Sequence, residues 1–136
     1  MRLEITRRAE LAVRAMVVLG ETTDRLKAPA LADVLGTTAG FVPQVISPLV
    51  KAGWVQSEPG PTGGYTSCVR LGEVSVLDVI EAVDGVTDGG RCVVADRACQ
   101  ETAPCSLHAA WARARRELVD VLGGTSLSEV STGATW

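Results

Sequence analysis

The sequence predicts a mainly α-helical fold with one small β-hairpin: a winged helix-turn-helix followed by a long dimerisation helix. Three observations predict it. Two short helical stretches flank the turn Gly36-Thr37-Thr38-Ala39. A strand–turn–strand pattern follows directly, pivoting on Glu58-Pro59-Gly60-Pro61-Thr62-Gly63-Gly64. A regular amphipathic helix from Ser106 to about Leu122 closes the chain.

The first helix spans Ile5 to about Glu21. Leu11, Ala12, Ala15, Met16 and Leu19 recur at three- and four-residue spacing, with Arg7, Arg8 and Arg14 on other faces. Ala28-Pro29 opens the second helix, where proline suits the first turn. It ends at Gly36, which can adopt positive φ. A third helix runs from about Gly40 to Ala52, and Gly53 ends it. Leu31, Leu35, Val42 and Val45 are expected between the two helices, and Ala32 lets them approach. In such a unit the second helix enters the major groove. Pro43 fits its first turn, whereas Pro48 removes a backbone hydrogen bond and should bend it.

Trp54–Ser57 and Tyr65–Arg70 read as the two strands of the wing. Cys68, outside the other cysteines, reads as a small buried residue. Ser75–Val83 reads as a fourth helix with Ser75 as N-cap and Asp78 in an acidic first turn. The last helix carries one apolar stripe, Leu107, Ala110, Trp111, Ala114, Leu118, Val121 and Leu122. It can pack on its own head or on a twin, and pairing into a homodimer is preferred, because a single helix-turn-helix reads too few base pairs. A short turn begins at Leu127, and 131–136 reads as a loose tail. The head is assigned to 1–74, and the loop with its long helix to 75–136, within one continuous unit.

The composition sets bounds. With 46% hydrophobic but only 4% aromatic residues, the core must be built from Ala, Val and Leu. Residues 1–74 carry a net +1 and residues 75–136 a net −4, so the chain is no bulk DNA condenser. A specific DNA binder needs only a local basic face. No run approaches the roughly 18 apolar residues of a membrane span, and the N-terminus lacks a signal-like apolar segment. A cytoplasmic location is expected, with no membrane partner. A reducing compartment favours metal or redox chemistry over structural disulfides. One histidine, no paired catalytic carboxylates and no phosphate loop argue against an enzyme or a small-molecule substrate.

The candidate contacts to double-stranded DNA are Arg2, Arg8, Lys27, Thr38, Gln44, Ser47, Lys51, Thr62 and Gly63. Of these, Gln44 has the chemistry for bidentate contact with adenine. The metal candidates are more concentrated. Cys92, Cys99, Cys105 and the single histidine, His108, fall within 17 residues in the pattern C-x6-C-x5-C-x2-H. They occupy a loop of roughly twenty residues without periodicity, which in a compact domain needs something to order it. A metal cofactor would do so.

Together these segments resemble the Rrf-two family of bacterial winged-helix repressors. The resemblance covers nearly the whole chain. It rests on Met1-Arg2-Leu3, Leu11–Met16, Leu31-Ala32-Asp33, Gly53-Trp54-Val55, Gly63-Gly64-Tyr65, Asp78–Gly85 and the three cysteines before the long helix. It implies a homodimer on a palindromic operator and an iron–sulfur cluster held by three cysteines and one further ligand. Carried over by position, Cys92, Cys99 and Cys105 are the thiolates, with [2Fe–2S] preferred to [4Fe–4S]. His108 matches the fourth ligand of IscR-like members. Glu10 matches the acidic ligand that NsrR-like members donate from the other subunit, and His108 is preferred. The x6 spacing, where IscR-like members have x5, alters the loop path. Pro59 replaces a wing arginine, so minor-groove reading there is lost or moved. Pro43 occupies a base-reading position, so the operator should differ. The implied function is a cluster-sensing transcription regulator responding to cluster status, redox or nitric oxide. The alternative is a cluster-free regulator using zinc or thiol chemistry at the same cysteines. A small electron carrier would need no helix-turn-helix.

Overall fold

The computed structural model describes residues 1, 3–95, 97–99, 103–130 and 136. Helix α1 (Arg7–Gly20) is the centre of the fold. Thr6 caps it, its hydroxyl accepting from the Ala9 N–H at 3.0 Å. The predicted apolar face is buried, and Val13 and Val17 join it. Helices α2 (Ala28–Leu35), α3 (Val42–Lys51) and α4 (Val76–Asp84) pack around α1. Leu31, Leu35, Val42 and Val45 all lie fully buried between the helices, as the spacing predicts.

The helix-turn-helix forms because Gly36 takes the left-handed conformation, φ 68°. Thr37 N–H then donates to the Ala32 carbonyl at 3.0 Å, satisfying the end of α2. The wing is an antiparallel pair, β1 (Val55–Glu58) and β2 (Gly64–Ser67), in the register Val55 opposite Ser67 and Glu58 opposite Gly64. A third edge comes from before α2. Leu26 and Tyr65 exchange backbone hydrogen bonds at 3.1 and 2.8 Å. The wing is thereby tied to the start of the helix-turn-helix.

Helix α4 has the predicted Ser75 cap. The Ser75 hydroxyl accepts from the Asp78 N–H at 3.0 Å, and the Asp78 carboxylate accepts from the Ser75 N–H at 2.9 Å. The last helix, α5 (His108–Gly124), starts two residues later than predicted.

Two expectations change. Cys68 is exposed, not buried. It follows the last residue of β2, where its N–H still reaches the Trp54 carbonyl at 2.8 Å but its side chain has left the sheet's inner face. The terminal turn, Leu127–Val130, is part of the core. Leu127 is 0% exposed, and its N–H donates to the Val74 carbonyl at 2.9 Å. A lone leucine beyond a helix carries no periodicity to announce this. The tail expected at 131–136 lies outside the described residues except for Trp136. Its ring stands 5.9 Å from the Arg14 guanidinium carbon.

Candidate metal centre and nucleic-acid interface

The cysteine loop folds back on itself before α5. Arg91 and Ala98 pair as an isolated bridge, and the Cys92 N–H donates to the Arg97 carbonyl at 2.8 Å. This tight reversal sets Cys92 and Cys99 side by side. The third cysteine sits where the chain enters α5, with the His108 N–H donating to the Cys105 carbonyl at 3.0 Å. The three sulfurs consequently lie within 4.8 Å of one another. Among the described residues no other group of three such side chains comes this close.

Backbone amides point at these sulfurs. The Val94 N–H donates to Cys92 Sγ, and the Cys105 N–H to Cys99 Sγ, each at 3.4 Å. Donors of this kind favour the charged thiolate. The Cys92 thiol is accordingly lowered to about 7, chiefly by the backbone N–H groups of Val94 and Ala95. Cys105 shifts the other way, pushed up by desolvation and by its neighbouring sulfurs. One thiolate that forms near neutral pH beside two further thiols is a metal-binding donor set.

The sulfurs open on a cavity of about 260 Å³ lined also by His108, Trp111 and Arg115. Arg115 is paired with Asp88 at 3.0 Å, pinning the start of the loop to α5. The His108 imidazole lines this cavity but is outside the 4.8 Å group. Glu10 is elsewhere in the same chain. Its carboxylate sits between Arg7 and Arg14, at 2.5 and 3.2 Å.

Soft thiolates suit both iron–sulfur clusters and zinc. Two thiolates on one tetrahedral zinc, each at about 2.3 Å, stand roughly 3.8 Å apart. The observed sulfur spacing is of that order, so the residues fit a metal group without refolding of the loop.

The candidate DNA contacts fall on the turn, α3 and the wing, and on the residues that brace them. Thr38, Gln44, Ser47 and Lys51 are exposed along the turn and α3. A groove between α3 and the wing is lined by Pro43, Ser47, Val50, Lys51 and Tyr65. Thr62 is exposed at the wing tip, whereas Gly63 is buried behind it. A Cβ at Gly63 would stand 2.0 Å from the Glu58 carbonyl oxygen, so this glycine shapes the turn that presents Thr62. The Lys27 ammonium donates to the Pro61 carbonyl, and Arg25, unnoticed in the sequence, donates to that of Thr62 at 3.3 Å while pairing with Glu58 at 2.8 Å. The Arg8 Nε–H donates to the Gln44 carbonyl at 2.9 Å. Arg2 lies outside the described residues.

A helix-turn-helix carrying a wing, together with three clustered thiols that could hold a metal, defines the class of winged-helix transcriptional regulators. The family model described as Rrf2, iron-dependent transcriptional regulator, matches residues 5–133, and the chain belongs to that family. The family consists of transcriptional regulators that bind DNA and are not enzymes. The HTH-type transcriptional regulator IscR of Xenorhabdus nematophila is 33% identical over 131 residues, covering 94% of this chain and 79% of that protein. IscR of Klebsiella pneumoniae is 32% identical over 130 residues, with the same coverage. Among solved structures, CymR, the global cysteine regulator of B. subtilis, superposes with a TM-score of 0.80 at 20% identity, covering 98% of this chain and all of that one. T. potens IscR superposes at 0.70 with 22% identity, covering 94% and 85%. These superpositions establish the fold. The described residues contain no helix long and apolar enough to cross a membrane.

Proposed function

We propose that this chain is a homodimeric, cytoplasmic DNA-binding repressor that holds an iron–sulfur cluster on Cys92, Cys99 and Cys105 and changes its operator binding with the state of that cluster. The observation that carries the reading is the convergence of three sulfurs within 4.8 Å in the loop that enters α5. The family's description as iron-dependent transcriptional regulators supports iron as the metal. A bound cluster would supply a redox-active, nitric-oxide-reactive group there. The protein's part is to hold it by thiolates that backbone N–H groups stabilise, and to leave one side open. A [2Fe–2S] cluster is preferred.

His108 is the preferred fourth ligand, because it lines the same cavity. Glu10 of a second subunit is the rival, and its release from Arg7 and Arg14 would be the cost of using it. Residues 1–74 form the DNA-binding head, and 75–136 carry the cluster loop and dimerisation helix within the same unit. The exposed row Ala110, Ala114, Leu118 and Val121 on α5 supports pairing with a second copy. So does the apolar groove of about 690 Å³ that α5 forms with Met1 and Leu3. A two-fold dimer would present two α3 helices to a palindromic operator. Thr38, Gln44, Ser47 and Lys51 would face the major groove, and Thr62 the flanking backbone or minor groove.

Anaerobic purification tests the reading. The protein should be brown and contain iron and acid-labile sulfide, and Cys92→Ala and Cys105→Ala should abolish the visible absorption. A colourless, iron-free protein would sink the cluster assignment. A second reading, one zinc ion on the same thiolates, is favoured by the compact sulfur spacing. It would show as about one equivalent of zinc without sulfide.

A further inference from the structure

Pro48 lies inside α3. It has no backbone N–H, so the helix cannot supply the Gln44 carbonyl with its usual donor four residues on. That carbonyl is nevertheless hydrogen-bonded. The Arg8 Nε–H donates to it at 2.9 Å, across from the first turn of α1. Arg8 is half-buried and stands on a rigid base, because Ala9, Leu11 and Ala12 beside it are in the core. The guanidinium is planar and permanently charged, so it is a strong and directional replacement donor.

We propose that Arg8 is a positioning residue for the recognition helix. Its guanidinium takes the place of the N–H that Pro48 lacks and fixes the first turn of α3 against α1. That turn carries Gln44, and Ser47 follows one turn along. Arg8 and Pro48 are thus a matched pair, and Arg8 serves base reading indirectly and not as a phosphate contact. The inference rests on the reading of α3 as the recognition helix.

A double-mutant cycle on the full-length protein tests it: Arg8→Ala, Pro48→Ala and the double variant. Two quantities are measured, the denaturant midpoint and the affinity for DNA upstream of the protein's own gene across a salt series. Arg8→Ala alone is expected to weaken specific binding by about tenfold, the order for losing one hydrogen bond to a charged donor. The slope of log affinity against log salt should stay at its wild-type value. In the Pro48→Ala background, where residue 48 again has an N–H for the Gln44 carbonyl, Arg8→Ala should change neither quantity appreciably. Arg8→Lys should recover part of the loss, and it keeps the test open if Arg8→Ala does not fold. Equal losses in both backgrounds overturn the proposal. So does a slope reduced by about one, the signature of a lost phosphate contact. Coupled midpoints with wild-type DNA binding in both Arg8→Ala and Gln44→Ala would instead defeat the assignment of α3, with the Arg8–Gln44 bond upheld.

Discussion

Helices α1 and α5 are similar in length and opposite in burial. Eight of the fourteen residues of α1 are buried, whereas none of the seventeen in α5 is. Helix α1 is therefore held by its own chain, and its order is independent of any partner. Helix α5 keeps only Trp111, Ala112, Arg115, Val119 and Leu122 half-buried, and exposes Leu118 and Val121 at 40% and 56%. The cysteine loop enters this second, unfinished region. The buried core is thus centred on α1, while the exposed apolar face of α5 and the three clustered cysteines lie in the more open part.

The sharpest way to break this contrast is to put a charge on α5. Leu118→Glu should weaken self-association by at least about a hundredfold, since an unpaired charge would be buried at the pairing face. The denaturant midpoint of the subunit should hardly move. Sedimentation equilibrium and circular dichroism check the two halves. Equal self-association of variant and wild type would show that α5 has no partner there.

The head should respond in the reverse sense. Leu31 is 0% exposed between α2 and its neighbours. Leu31→Ala should cost about 3–5 kcal/mol in chemical denaturation. Leu118→Ala in the dissociated subunit should cost under about 1 kcal/mol, as a surface change does. Comparable costs at the two positions would erase the distinction.

The legibility of the sequence divides along the same line. The helix-turn-helix was readable because Gly36 and the apolar spacing of Leu31, Leu35, Val42 and Val45 are local signals. The Ser75 cap and the acidic first turn at Asp78 were readable for the same reason. The cysteine pattern marked the site, but the reversal that brings Cys92 beside Cys99 depends on backbone bonds among Arg91, Cys92, Arg97 and Ala98. No spacing rule contains them. Cys68, expected to be buried as a small residue outside the cysteine cluster, is exposed because β2 ends one residue before it, at Ser67. Leu127 and the Arg8–Gln44 bond were invisible because their partners are far away in sequence.

Within the open region the two perturbed thiols should behave differently. The metal-free protein should be alkylated by iodoacetamide first at Cys92, with a rate midpoint near pH 7. Cys105 should need a higher pH than an ordinary thiol. The sign follows from linkage. A thiol lowered by folding favours the folded state fully above its unfolded value, and that preference is lost as pH falls through about 7. Mass-spectrometric mapping of alkylation rates against pH would show the order, and a shared midpoint for both thiols would contradict it.

The smallest expected change is at the cap of α4, just past the head. Ser75→Ala removes the cap of α4 and should cost about 1 kcal/mol without altering metal content. A loss of metal in this variant would mean that the start of α4, and not just the loop after it, supports the site.

The central claim is that chemistry at the cysteine loop reaches the DNA. The most direct test is the affinity for DNA upstream of the protein's own gene in four forms: holo, reduced, nitrosylated and apo. The dimer must be confirmed in each form. At least one transition should change affinity by about tenfold or more, equivalent to roughly 1.4 kcal/mol of coupling, and the change should vanish in Cys105→Ala. Identical affinities in all four forms would contradict the claim and leave a regulator whose metal does not speak to its operator.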